Sequence, residues 1–345
     1  MHSWLQRGSL FAGLATLMLL PACFQDNRLP LQPAARQPQA QLSALRSTPR
    51  EPAFGNTATN LRRILAQPQT GRFRFAFFGD NRNSSPFTTG ANKIYAKLID
   101  QVNQAQPNFA INGGDFTFDS LNTHWRDFEK VNSAIRVPFL TVVGNHDILF
   151  GRSYYENNYT PPNPETGLDD YSFDFNNTRL IVIDNAQYNL TERQFQWLER
   201  QLQTPMKKIV MAHSPPRHGV WDHKLSPSKE NSARWMGLNE KYRVDLVLLS
   251  HIHIYDSRTV NGVPYVVSGG GGAPLDKDKS WGQSLYHYVM VDVDASGVRH
   301  QLVPVQTRIQ TLGPTGFSTG LEANQMNTPQ ILQQYPQDII PPEEK

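Results

Sequence analysis

Between about residues 71 and 310 the chain alternates short runs of β-branched and aromatic residues with segments whose apolar positions recur at helical spacing. Residues 73–78, 109–112, 139–143, 172–175, 180–184, 208–212, 246–250, 265–268, 286–292 and 299–304 predict strands. Helices fit residues 92–104 and 121–134. A third helix begins at Thr191, where Gln194 completes a capping box and Phe195, Leu198 and Leu202 share one face. The pair Asn176-Asn177 between two strand-like runs reads as a hairpin turn. Strand alternates with helix in the first half and hairpins dominate the second, which predicts a mixed α/β layered fold.

The flanks have a different texture. Arg7 followed by an uncharged apolar run over residues 10–20 reads as an export signal, too short to span a bilayer. Leu20, Pro21, Ala22 and Cys23 then resemble the lipobox of bacterial lipoproteins, which predicts a lipid on Cys23 and an extracytoplasmic protein held on a membrane. An ordinary secretory signal or a short embedded anchor is the alternative. The expected organisation is a signal over residues 1–22 and a Pro/Gln-rich tether over 23–70, with one short helix near 57–66 resting on the body. A catalytic domain over 71–310 and a tail with little structure of its own over 311–345 complete it.

Composition narrows the chemistry. There is a single cysteine, so an all-protein thiolate metal site and an intrachain disulfide are both excluded. The 33 Lys and Arg against 30 Asp and Glu leave a net charge of +3, with no basic cluster beside the motifs described next, so no nucleic-acid partner is expected.

Five of the predicted strands run directly into compact polar groups. These are Gly79–Arg82 (GDNR), Asn112–Asp119 (NGGDFTFD), Val143–Asp147 (VGNHD), Ala212–Pro216 (AHSPP) and Ser250–Ile254 (SHIHI). Strand ends are where loops converge on a fixed backbone in α/β folds. Asp80 and Asp115 supply carboxylates and Asn145 a carbonyl oxygen, while His213, His251 and His253 supply imidazoles. His251 and His253 lie two apart, and in extended chain both would point to one side, an arrangement that asks for a cation or a proton. Mixed oxygen and nitrogen donors without thiolate suit Mn, Fe or Zn, and the number is enough for two ions sharing one carboxylate. Such a pair can acidify a water and neutralise phosphoryl oxygens during displacement at phosphorus.

In this order the motifs Asp80, Gly114-Asp115, Gly144-Asn145-His146-Asp147, His213 and His251-x-His253 resemble the calcineurin-like metallophosphoesterase superfamily, which includes the purple acid phosphatases. The likeness covers about residues 72–305. It implies a four-layer αββα sandwich of two mixed β-sheets with a dinuclear site at one edge. It further implies that Asp115 is shared, with Asp80 and His253 on the first ion and Asn145, His213 and His251 on the second. His146 would be the general acid and Asp147 the residue orienting its imidazole.

Two departures from the family pattern stand out. Arg82 occupies a place where many members have histidine, and Phe118 a place where purple acid phosphatases have tyrosine. The first ion is then short of one side-chain ligand, and is bound loosely, completed by water or Asn81, or absent until substrate arrives. Arg82 is either a surface residue or, as the third candidate catalytic group, a holder of a phosphate oxygen through its planar fork. Glycines 269–272 read as a close backbone turn beside the site, and His218, Trp221, His223 and Trp281 as ordinary loop packing. The expected activity is metal-dependent hydrolysis of phosphomonoesters, or of diesters, on phosphorylated small molecules. The alternative is a member that binds phosphate or a partner without turnover.

Overall fold

Consecutive residues of the strand β1 (Phe73–Phe78) face opposite ways, Phe75 and Phe77 to one apolar cluster and Ala76 and Phe78 to another. A strand apolar on both sides must be covered on both, and this pattern repeats across the molecule. The computed structural model describes residues 51–306 except 86, 88–91, 223 and 224. One sheet joins β1, β2 (Phe109–Asn112), β3 (Phe139–Thr141), β10 (His287–Asp294) and β11 (Gly297–Pro304) in the order β11-β10-β1-β2-β3. The second joins β4 (Tyr171–Phe175), β5 (Thr178–Ile183), β6 (Lys207–Ala212), β7 (Leu246–Leu249), β8 (Tyr255–Val260) and β9 (Val263–Ser268) in the order β4-β5-β6-β7-β9-β8. Each has a parallel centre, β1-β2-β3 or β5-β6-β7-β9, extended by antiparallel strands.

The two sheets pack face to face. Phe75, Phe77, Ile111 and Leu140 from the first meet Leu180, Val182, Met211 and Leu248 from the second in one buried cluster. Outside the first sheet lie the helices α2 (Lys93–Ala105), α3 (Asn122–Asn132) and α4 (Ser153–Asn158), which bury Tyr95, Ile99, Trp125, Phe128 and Tyr155. Outside the second lie α5 (Glu192–Leu202) and α6 (Lys229–Lys241), burying Phe195, Leu198, Leu202 and Trp235. The expected αββα sandwich is therefore the fold.

The capping box forms, with Gln194 N–H donating to Thr191 Oγ1 at 3.2 Å and Thr191 N–H to Gln194 Oε1 at 2.9 Å. Asn176 and Asn177 both have positive φ, 48° and 57°, and close the β4–β5 hairpin as the two-residue turn requires. Residues 54–65, expected within the tether, pack on the domain. The helix α1 (Thr57–Leu65) buries Leu61 and Ile64 between the sheets, and Phe54 before it joins the other core. Asn60 fastens this segment: its Nδ2 donates to the carbonyls of Phe54 and Asn56, and its Oδ1 accepts the N–H of Phe139 on β3 at 3.0 Å. Cys23, the expected signal and the expected tail lie outside the described residues. Among the described residues no helix is long and apolar enough to cross a membrane.

Candidate metal centre

The parallel strands of both sheets point their C-terminal ends to one edge, so the loops after β1, β2, β3, β6 and β7 meet there. The backbone at the meeting point is strained. Asp80, Asp115 and His251 have φ of 57°, 58° and 70°, in the left-handed region that costs a non-glycine residue about 1–2 kcal/mol. Neighbouring loops hold them in it. Asp80 N–H donates to Gly114 O at 2.8 Å, Arg82 N–H to Asp115 O at 3.1 Å, and His251 N–H to Asp80 Oδ2 at 2.7 Å. The glycine run after β9 packs on the same backbone: Gly271 N–H donates to Gly79 O at 2.9 Å, and a Cβ on Gly269 would stand 2.2 Å from Ile252 O. Gly144 is equally confined, since its Cβ would lie 2.3 Å from both the nitrogen and Oδ1 of Asp115.

Six expected ligands converge as two groups that share Asp115. Asp115, His213 and His251 form one, and Asp80, Asp115 and His253 the other, each with donor atoms within 4.8 Å of one another. Asn145 joins the first group, its Oδ1 3.1 Å from His213 Nε2, which also lies 3.3 Å from Asp115 Oδ1 and 3.2 Å from His251 Nδ1. The two histidines of the His-x-His motif do not share a side of an extended chain. His251 turns into the left-handed region, so one imidazole serves each group.

Hydrogen bonds orient the imidazoles for a cation here. His213 donates its Nδ1–H to Gly113 O at 2.8 Å and His253 its Nδ1–H to Pro274 O at 2.6 Å, which leaves each Nε2 lone pair facing inward in the neutral ring. His253 Nε2 lies 3.3 Å from Asp80 Oδ1, a buried carboxylate oxygen without a hydrogen bond. At that distance either a proton on Nε2 or a bound cation has to stand between the two atoms. Burial, then the neighbouring His213, pushes the His251 imidazole down to about 4, so it is neutral as a metal ligand must be. Burial would lower His253, and the Asp80 carboxylate outweighs it and raises it. Burial likewise works against the Asp115 anion, yet positive charge around it, on His213 and His146 when protonated and on Arg82, holds its carboxyl well below the usual carboxylate range. This donor set, free of thiolate and rich in oxygen and imidazole, fits Mn, Fe or Zn.

His146 stands beside the groups without joining them. Its Nδ1–H donates to the carbonyl of Phe118, which leaves Nε2 directed at Asp115 Oδ2, 4.0 Å away. Arg82 reaches the same oxygen from the other direction, Nε at 3.7 Å. It is no surface arginine: its side chain is 13% exposed and its guanidinium carbon lies 5.2 Å from the Phe118 ring centroid. Phe118, in the place where a tyrosine ligand was missing, thus supports both neighbours, with its ring 5.5 Å from that of His146.

Two expectations need correction. Asp147 does not orient the His146 imidazole, because its carboxylate is consumed by backbone. Its Oδ2 accepts the N–H of Asp115 and of Gly144, and its Oδ1 those of Phe116 and Thr117, at 2.8–3.1 Å. Burial and the charge of Asp115 push the Asp147 carboxyl up, and these donors pull it back. Asn81, expected to complete the Asp80–His253 group, instead engages its Oδ1 with Asn112 Nδ2 at 2.6 Å. Of the loop residues read as packing, Trp221 is buried with its Nε1–H on Asp256, Trp281 packs against the outer core, and His218 is exposed. His223 lies outside the described residues.

Two further residues, outside the five polar groups, belong to the site. Asn185 Oδ1 accepts the N–H groups of His213 and Ser214 at 3.0 and 2.9 Å, and its Nδ2 donates to Ser214 O at 2.7 Å. Tyr188 on the same loop sets its ring edge-on to His251, centroids 6.0 Å apart. The signal for Asn185 was present: Asp184-Asn185 is a sixth polar pair at a strand end.

A family model described as calcineurin-like phosphoesterase matches residues 73–255. Human acid phosphatase type 7 is 27% identical over 211 residues, 53% of this chain and 47% of that protein. The Fe(3+)-Zn(2+) purple acid phosphatase 12 of Arabidopsis thaliana is 24% identical over 216 residues, 57% of this chain and 45% of that protein. The chain thus spans about half the length of these curated relatives. A purple acid phosphatase from yellow lupin (Lupinus luteus) seeds superposes with a TM-score of 0.54 at 17% identity, over 68% of this chain and 52% of that one, a likeness of fold.

Proposed function

The chain belongs to the calcineurin-like phosphoesterase family, and from that premise we propose that it is a metal-dependent phosphoesterase hydrolysing phosphomonoesters outside the cytoplasm. The observation that carries this is the convergence of two donor groups on Asp115, with His146 Nε2 and Arg82 Nε both directed at its outer oxygen. Asp80, Asp115 and His253 would hold one ion, and Asp115, Asn145, His213 and His251 the other. Mn, Fe and Zn all suit these donors, and the Fe and Zn named for the Arabidopsis relative support the last two. Bound there, such ions supply Lewis-acid polarisation of phosphoryl oxygens and a water acidified toward a pKa of about 7.

The protein's own residues do the rest. With Nδ1–H committed to the Phe118 carbonyl, His146 carries a proton on Nε2 only as imidazolium, and from there it gives that proton to the leaving oxygen as general acid. Arg82, set on the Phe118 ring with its Nε lacking a hydrogen bond, receives a phosphoryl oxygen through its planar fork. Asp147 and Asn185 act through other residues, fixing the backbone of Asp115 and of His213.

A panel of aryl phosphate, bis-aryl phosphate and nucleotides, assayed with Mn, Fe or Zn, tests this reading and sets monoester against diester. Hydrolysis of none of them above a His146→Ala control would sink it. The extracytoplasmic placement rests on the apolar run and on Cys23. Intact-mass analysis of the mature protein is expected to find lipid on that residue, and a mature unlipidated N-terminus elsewhere would contradict it.

A further inference from the structure

The loop between β5 and α5 enters the site from the second sheet, and it is fastened along its length. Asn185 ties its start to His213 and Ser214. Tyr188 N–H donates to Asn185 O at 2.7 Å, Asn189 Oδ1 accepts Ser228 N–H at 2.7 Å, and Leu190 N–H donates to Asn231 Oδ1 at 3.0 Å. These bonds force Tyr188 to a φ of 70°. Among the described residues ten non-glycine positions have positive φ, and Tyr188 is the only phenylalanine, tyrosine or tryptophan among them. Three others, Asp80, Asp115 and His251, are the strained residues of the metal centre. A bulky residue in that region is an outlier that the surroundings must over-determine.

Packing for the fold does not account for the ring. Tyr155, Tyr159 and Tyr171 are at most 2% exposed and their hydroxyls are bonded within the protein. Tyr188 is half-buried, flanked by the exposed Gln187 and Asn189, and turned back so that its ring meets His251 at 64°. It stands beside the His213–His251 donor group, on a loop of the second sheet, whereas Arg82 and His146 come from loops of the first.

We propose that Tyr188 is a specificity-determining residue that walls the substrate pocket beside His251 and packs its ring against the organic group of the ester, favouring planar groups. This rests on the phosphoesterase reading. On that reading the phosphoryl group would bind at the metal centre, so its organic substituent must leave past one of the flanking walls. An aromatic ring held rigidly there gains from an offset or edge-on partner and little from a small alkyl group.

The test is calorimetric binding of phenylphosphonate and methylphosphonate to the metal-reconstituted full chain. Variants Tyr188→Asn and Tyr188→Phe are compared, asparagine because it tolerates the left-handed backbone. The wild type is expected to prefer phenylphosphonate. Tyr188→Asn should lose about two- to tenfold of that preference, with methylphosphonate affinity and the melting temperature not lowered, and Tyr188→Phe should keep it. The inference is overturned by an unchanged preference in Tyr188→Asn, or by loss of both affinities together with a lower melting temperature, which would mark a structural role. It is overturned equally if the wild type shows no preference or binds neither probe. If the wild type shows the Tyr188-dependent preference yet hydrolyses no aryl phosphate, the inference stands and the phosphoesterase reading falls.

Discussion

Asp147 Oδ2 accepts the backbone N–H of Asp115 at 2.8 Å, so a carboxylate from the loop after β3 sets the position of the shared ligand on the loop after β2. The same side chain caps the next two N–H groups and that of Gly144. Four donors on one buried acceptor lock two loops at the point where both strained aspartate backbone and metal donors must be placed.

Asp147→Asn would replace one accepting oxygen by an amide that donates toward N–H groups. Each buried group left unpaired costs about 1–3 kcal/mol, so a clear fall in melting temperature and weaker metal binding are expected. Thermal unfolding with and without added metal checks this, and a variant as stable and as tightly metallated as the wild type would count against the clamp.

His146→Ala is expected to cut kcat by about 10²–10⁴ while leaving the metal content intact, because His146 lies outside both donor groups. Parallel metal analysis and steady-state kinetics separate the two effects. Loss of bound metal in this variant would mean that His146 is a ligand.

Arg82 poses a test of geometry rather than charge. Losing a charge-assisted hydrogen bond worth about 1.5–3 kcal/mol should lower kcat/KM by roughly 10- to 150-fold in Arg82→Ala. Arg82→Lys should recover little, since an ammonium lacks the planar fork and the seat on Phe118. Full activity in Arg82→Lys would reduce the role to a point charge.

Away from the site, Asp170 is buried, and burial followed by the charge of Asp184 pushes its carboxyl up to about 7. In the unfolded chain it titrates near its ordinary value of about 4. The folded state therefore holds the extra proton between those values, and this contribution to stability is full below pH 4 and is lost as pH rises through 7. Asp170→Asn should flatten the fall in melting temperature between pH 4 and pH 8. An equally steep fall in the variant would remove Asp170 as its source.

Much of this architecture can be read from residue order. The five polar groups at strand ends meet in space because parallel strands must end on one side, and every expected ligand but the supplementary Asn81 lies among the donors. What escaped notice depends on contacts through space. Nothing in the Asn-His-Asp run tells that Asp147 will face four N–H groups instead of the imidazole beside it, and Tyr188 has no motif. Some elements lack a sequence signal for local reasons. The helix α6 carries few apolar residues beyond Trp235, Met236 and Leu238, and the edge strand β8 reads Tyr-Asp-Ser-Arg-Thr-Val, mostly polar because one side is exposed. Its Asn261-Gly262 turn, with φ of 49° and 79°, was nevertheless a legible hairpin signal.

The central claim is that the donors around Asp115 hold ions that enable phosphoester hydrolysis. Titrating chelated protein with Mn, Fe or Zn while recording bound metal and aryl phosphate turnover tests it most directly. The account predicts turnover that rises with occupancy toward two ions per chain and is absent from Asp115→Ala under the same titration. Binding that never reaches about one ion per chain, with no rate above background, would contradict it.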